Sequence, residues 1–121
     1  MIGSILLATA LQSAPIDWDA LPPLPWRAPP IITAEMQVFV QREVKLRKCV
    51  LAKPGVAEVS IAVLVDENGS IRTTVPRAIA CPSVEQYAAA LAAGFARNNL
   101  LPRPGASEQW YRTTLSFTLS Q

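Results

Sequence analysis

The side chains that could do chemistry in this chain are few. The sequence contains two cysteines and no histidine, so the commonest general base of enzymes is absent. Cys81 could act as a nucleophile only with an activating base or cation, and Arg77 is near it in sequence. The five glycines are scattered and form no phosphate-binding pattern. These residue types argue against an enzyme, and they predict neither a cofactor nor a catalytic residue.

The two cysteines favour a disulfide between Cys49 and Cys81. An even number of cysteines in a small exported domain is typical of such a bridge. Two cysteines without histidine cannot fill a tetrahedral metal shell by themselves, so no metal site is predicted. The alternative is a pair of buried free thiols.

The first 14 residues resemble a secretory signal peptide. An apolar run from Ile2 to Leu11 is too short to span a membrane, which takes roughly 20 residues, and small residues follow it. Cleavage near residue 11 or 15 would release an exported, periplasmic chain. A buried N-terminal helix and an uncleaved anchor are the alternatives.

Length and charge predict one small domain that does not bind nucleic acid. The chain has 121 residues, half of them hydrophobic, and a formal net charge of +2. Its densest basic group runs from Arg42 to Lys48 and is interrupted by Glu43, which is typical of a solvated helix face. An anionic partner surface is the alternative.

Residues 15–33 are predicted to form a proline-rich tether. Residues 15–30 hold six of the eleven prolines, a composition that favours the polyproline II conformation over helix or sheet. Trp18 and Trp26 are unusual in a linker. They are expected to fold back onto the domain, to bind a partner or to be exposed.

Two helices are predicted in the rest of the chain. Thr33 can cap a helix over residues 34–50, although the apolar residues there also fit the strand period of two. Ser83 and Gln86 have the spacing of a capping box for a second helix over 84–97, which Asn98 and Asn99 would end.

The segment VSIAVLVDENGSIRTTV, residues 59–75, predicts a hairpin. A strand register that places Val65 opposite Ile71 keeps the apolar faces of the two strands together. This register requires a loop of three or five residues with Gly69 in the left-handed region. In this register Ile71, Thr73 and Val75 share a face. Asp66 and Glu67 are adjacent and would point apart, so they are expected to be solvated turn residues rather than a catalytic pair.

The final segment alternates cleanly and predicts a half-buried strand at residues 110–119. The helix before it returns the chain to the free side of the first strand. The expected fold is therefore α+β, with a three-stranded antiparallel sheet of order 2-1-3 and helices packed on one face. The last strand would then be an edge.

This order of elements resembles the TonB C-terminal domain family over residues 34–121. The similarity is carried by the alternating valines and isoleucine of residues 59–65, the turn at 66–69, Phe95, Pro102 and Phe117. The resemblance implies a periplasmic transport role, in which an edge strand pairs with an extended segment of an outer-membrane transporter. The chain lacks the family's Pro-Lys repeats.

Edge-strand pairing predicts a protein partner, either an outer-membrane transporter or another envelope protein. The binding residues would be Trp110, Arg112 and Thr114, with no nucleic acid and only indirect membrane contact. The alternative is a structural or self-associating exported domain without a transport role. Self-association would make it a homodimer.

Overall fold

The computed structural model describes residues 15–120. Its elements are helices α1 (Ala34–Leu46) and α2 (Pro82–Ala96) and strands β1 (Val56–Val65), β2 (Ile71–Pro76) and β3 (Gln109–Thr118), preceded by a 3-10 turn at Trp18–Ala20. The strands form one antiparallel sheet in the order β2-β1-β3. The predicted α+β class, sheet order and edge position of β3 are confirmed. The signal peptide predicted at residues 1–14 lies outside the described residues.

Helix α1 begins as predicted but ends earlier. The Thr33 hydroxyl accepts a hydrogen bond from the Met36 amide, 3.3 Å away, which caps the first turn. The helix ends at Leu46 because Lys48 is left-handed, with φ of 55°. The amide of Cys49 then donates back to Val44 O at 3.0 Å, so the end is a Schellman motif.

Helix α2 begins two residues before its predicted start, and the predicted capping box is wrong. Cys81 is the N-cap residue and Pro82 is the first helical residue, a position where the missing amide hydrogen costs nothing. The Ser83 hydroxyl is buried and has no hydrogen-bond partner among the described residues. The buried carboxylate of Glu85 instead accepts from the amides of Ile79 and Cys81, at 2.9 and 3.0 Å.

The disulfide is confirmed and joins the ends of the two helices. The Sγ atoms of Cys49 and Cys81 are 2.01 Å apart and the Cα atoms are 5.5 Å apart, within the range that a disulfide requires. Cys81 is fully buried and Cys49 packs against the same core. The bridge therefore ties the end of α1 to the start of α2.

The hairpin loop has the predicted length and register next to the turn. Val65 pairs with Ile71, which leaves five residues in the loop, and Gly69 has φ of 85°. Asp66 is buried rather than solvated, because its Oδ1 accepts from the amides of Asn68 and Ser70, each at 2.9 Å. This carboxylate thus stabilises the turn.

The register of the hairpin shifts beside the loop, where Arg72 forms a bulge without a partner opposite it in β1. The prediction that Ile71, Thr73 and Val75 share a face is therefore wrong. Beyond the bulge Thr74 points to the helices, and its hydroxyl donates to a backbone carbonyl of α2 at 3.3 Å. Thr73 and Val75 consequently face away from the helices.

The core lies between the sheet and the two helices, and β1 runs through its middle. Its residues from Ile61 to Val63 are fully buried, as befits the central strand of three. The cluster also takes buried apolar residues from the rest of β1, from both helices and the N-cap of α2, from β3 and from the proline-rich segment: Leu24, Val40, Ala57, Val59, Val65, Cys81, Val84, Ala88, Ala92, Ala96, Tyr111, Leu115 and Phe117. Within residues 15–120, no helix has the length and apolar character needed to cross a membrane.

Candidate functional site

The outer edge of β3 is one of the two edges of the sheet, and it is a place where this fold can pair with another extended chain. Residues 109–118 of β3 pair with β1 on the inner side. On the outer side, the Arg112 amide donates to Pro22 O at 2.8 Å, and Arg112 O accepts from the Leu24 amide at 2.9 Å. Because backbone direction alternates along a strand, the amides of Thr114 and Ser116 also point outward.

The segment bound at this edge is the proline-rich one, and we call residues 15–28 the strap. Pro23 pairs with Arg112 as a parallel bridge, so the strap runs in the same direction as β3. Leu24 enters the core cluster and is only 4% exposed. The strap is thus docked on the domain, and a tethering role of residues 15–33 stays a prediction.

The end of the strap is clamped by the chain that follows α2. The side-chain amide of Asn99 accepts from the Ala28 amide at 3.0 Å and donates to Ala28 O at 2.9 Å. The Arg27 amide donates to Asn99 O at 2.7 Å, and the Leu101 amide donates to Pro25 O at 2.9 Å. These four hydrogen bonds fix the last residues of the strap beside β3.

The beginning of the strap lies on the sheet face away from the helices. Arg112 donates from Nη1 to Trp18 O at 3.1 Å, and the Arg77 guanidinium lies 5.5 Å from the centre of the Trp18 ring, a cation–π distance. Ala62 faces this side between them and is fully buried. Both tryptophans of the strap fold back onto the domain, since Trp26 Nε1 also donates to the Thr113 hydroxyl at 3.3 Å.

The edge remains open beyond the strap. Among residues 15–120, the outward amides of Thr114 and Ser116 have no hydrogen-bond partner. At the far end the Thr118 amide donates to Gln37 Oε1 of α1 at 2.7 Å, which closes the edge again. The open stretch is therefore short and lies between the strap and the start of α1.

The predicted binding residues share this edge, but they are not equally available. Arg112 is committed to the strap through both its backbone and its side chain. The Thr114 hydroxyl is exposed and lies 3.1 Å from the Ser60 hydroxyl, and Trp110 is half-buried opposite Leu64. A shallow pocket of about 440 Å³ lies beside them, and the strap itself forms one of its walls. Its lining residues are Leu21, Pro23, Leu24, Trp26, Arg112, Thr113 and Thr114.

The sequence did not predict the place of Leu24, whose side chain enters the core cluster while its amide pairs with the edge of β3. The available signal was an apolar residue two positions before a tryptophan inside a segment of otherwise solvated prolines. The high proline content of the segment favoured its interpretation as a linker, so this apolar residue was not assigned to the core.

The groups at this edge are of the kind that bind a peptide. No cluster of three or more metal-ligating side chains occurs in the part of the chain that the structure describes, and both cysteines are in the disulfide. The edge supplies unpaired backbone groups, a pocket with apolar walls and one arginine. Such groups bind an extended peptide through main-chain hydrogen bonds and select it through alternate side chains.

Comparison of the chain with protein-family models, with curated proteins and with solved structures finds no match, so the similarity to the TonB C-terminal domain stays a prediction from sequence.

Proposed function

We propose that this protein is an exported, TonB-C-like binding module of the periplasm that takes an extended segment of an envelope protein along the outer edge of β3. The partner we favour is an outer-membrane transporter. One observation carries the proposal: Arg112 already holds an extended segment by two backbone hydrogen bonds, and the next two outward amides are open. An edge that accepts one extended segment has the geometry to accept another.

The disulfide supports the exported location. Disulfides persist in oxidising compartments such as the bacterial periplasm and are rare in the cytosol. Buried Cys81 and its partner Cys49 close a loop around the whole hairpin, so the bridge serves the fold. This observation fits the predicted export and leaves the binding edge free of redox chemistry.

A second candidate function is a structural or self-associating exported domain. The strap favours it, because covering an edge with a proline-containing segment is a common way to prevent unwanted strand pairing. In this case the open stretch would be a remnant of the edge without a ligand, or it would pair with the same stretch of a second copy.

The test titrates peptides from the periplasmic N-termini of outer-membrane transporters into the full chain while the backbone amide signals are followed by NMR. We expect a binding peptide to shift the amides of Thr114 and Ser116 and to slow their hydrogen exchange. Ser116→Pro should abolish binding, because it removes an outward donor while the inner ladder stays intact. Ser116→Val is the matched control, since it keeps the amide.

Two results would contradict the proposal. One is unchanged peptide affinity in a folded Ser116→Pro variant, which would place binding elsewhere. The other is the absence of binding by every peptide together with a concentration-dependent increase in molecular mass by light scattering, which would favour self-association.

A further inference from the structure

The strap shows which peptide the edge of β3 accepts. Its three prolines from Pro22 to Pro25 cannot donate backbone hydrogen bonds. Two strap groups form backbone-to-backbone hydrogen bonds with β3: the Leu24 amide and the Pro22 carbonyl. Prolines at the other positions therefore cost no hydrogen bond, and their restricted backbone lowers the entropy lost on docking. An extended proline-rich segment suits this edge better than an ordinary strand.

Two side chains give the strap its specificity. Leu24 fills a position in the core cluster, and Trp26 packs against that cluster while donating from Nε1 to the Thr113 hydroxyl. The two residues are held close by a hydrogen bond from the Trp26 amide to Leu24 O, at 2.9 Å. The site that the strap occupies between β3 and the chain after α2, which we call the groove, thus accepts an apolar side chain two positions before an aromatic one.

We infer that the strap is a ligand bound in cis, and that the groove it occupies receives from the partner protein a proline-rich segment of the same type. This segment runs parallel to β3 up to a leucine and then turns at leucine-proline-tryptophan. This inference rests on the proposed function and adds the class of peptide and its direction. A segment that runs parallel to β3 from Arg112 continues toward the open amides of Thr114 and Ser116, so both proposals concern one edge. Binding of the partner then requires displacement of the strap from Arg112, while the clamp at Asn99 keeps the strap attached nearby.

The competition between strap and partner determines affinity. A segment tethered a few residues from its site has an effective concentration of about the millimolar range, so a free peptide competes poorly with it. The apparent affinity of the partner equals its affinity for the empty groove multiplied by the fraction of molecules in which the groove is empty. A change confined to the strap should therefore raise the affinity for a peptide in trans.

The experiment uses the full chain with Leu24→Ala and a synthetic 12-residue peptide of the strap sequence, DWDALPPLPWRA, residues 17–28. We expect the peptide to bind the variant at least about tenfold more tightly than it binds the natural chain, and to raise the melting temperature of the variant. A peptide with alanine in place of the leucine of residue 24 should do neither. Calorimetry gives the affinities, and circular dichroism gives the melting temperatures.

If Leu24→Ala does not fold, the combination of Pro22→Gly and Pro23→Gly replaces it. These changes leave Leu24 in place and weaken docking in cis by freeing the undocked strap, so peptide affinity should rise roughly tenfold. Pro54→Gly, in the exposed turn before β1, is the matched control and should leave peptide affinity unchanged.

Three results would overturn the inference. They are equal peptide affinity in variant and natural chain, no binding to a folded variant, and dimers in which the strap of one copy fills the groove of the other. If the strap peptide binds while no transporter peptide does, the groove and its peptide class stand and the transporter as partner is wrong.

Discussion

Glu85 acts on the start of α2 from inside the helix. Its carboxylate accepts from two amides that precede the first turn, and the residue is only 9% exposed. A negative charge there also interacts favourably with the helix dipole. The capping-box pattern does not identify Glu85. This pattern consists of a serine at the cap and an acceptor three residues later, and Ser83 and Gln86 fit it instead.

Glu85→Ala is predicted to lower the free energy of unfolding by about 1–3 kcal/mol, since it leaves two amides without their acceptor. Gln86→Ala, on the exposed face of the same turn, should change it by less than about 0.5 kcal/mol. Urea denaturation of both variants measures the difference. Equal effects would show that the carboxylate does not hold the cap.

The two glycines at positions 69 and 94 should respond to alanine with opposite signs. An added Cβ meets nothing within 4 Å at either position. The backbone conformation alone therefore decides whether alanine stabilises or destabilises the protein. Gly69 has φ of 85°, and Gly69→Ala should destabilise the protein by about 1–2 kcal/mol. Gly94 lies in α2, and Gly94→Ala should stabilise it by about 0.5–1 kcal/mol. Thermal melts of the two variants give both signs.

At the scale of elements, the disulfide joins the end of α1 to the start of α2. The loop that it closes contains the hairpin. The bridge links residues 32 apart, and the segment between them contains both β1 and β2. A closed loop of this length reduces the freedom of the unfolded chain considerably. The left-handed Lys48 contributes to this geometry, since it ends α1 and turns the chain immediately before Cys49.

Replacing both cysteines by serine is predicted to lower the free energy of unfolding by about 2–5 kcal/mol. Guanidinium denaturation with and without dithiothreitol measures it. Reduction should bring the natural chain close to the double variant and leave that variant unchanged. A natural chain whose midpoint is insensitive to a reductant, with both thiols shown to be free, would contradict the structural role of the bridge.

The sequence predicted those elements whose signals are local. Thr33 marked the start of α1, Gly69 marked the turn, and the alternation of residues 110–119 marked an edge strand. The bulge at Arg72 could not be foreseen, because inserting one residue leaves the hydrophobic alternation of β2 intact while reversing its faces. The candidate site was predicted as a strand, but its occupant was not.

At the scale of the whole molecule, the strap joins the two faces of the sheet around one edge. Trp18 lies on the face away from the helices, and Leu24 enters the core on the other face. Contacts of the strap with Asn99 and Arg112 span most of the sequence. A segment with a buried leucine and such distant contacts should unfold together with the domain rather than before it.

Two tryptophan variants test this cooperativity. Trp110→Phe leaves Trp18 and Trp26 as reporters of the strap, and the combination of Trp18→Phe and Trp26→Phe leaves Trp110 as a reporter of β3. In urea, we expect the fluorescence midpoint of each variant to coincide with its own midpoint by far-UV circular dichroism. A strap signal that changes at clearly lower urea, or that shows no transition, would mean that the strap unfolds independently.

The contacts of the strap also determine the order in which the chain can be completed in the cell. Trp18 is synthesised 94 residues before Arg112, and Ala28 is synthesised 71 residues before Asn99. At about 5–20 residues per second, roughly 4–20 s pass between the appearance of the strap and that of its partners. During this interval Leu24 and Trp26 have no site in their own chain. The strap is made first and its partners are made last, so the leucine and the tryptophan of the strap wait unburied until β3 has been synthesised.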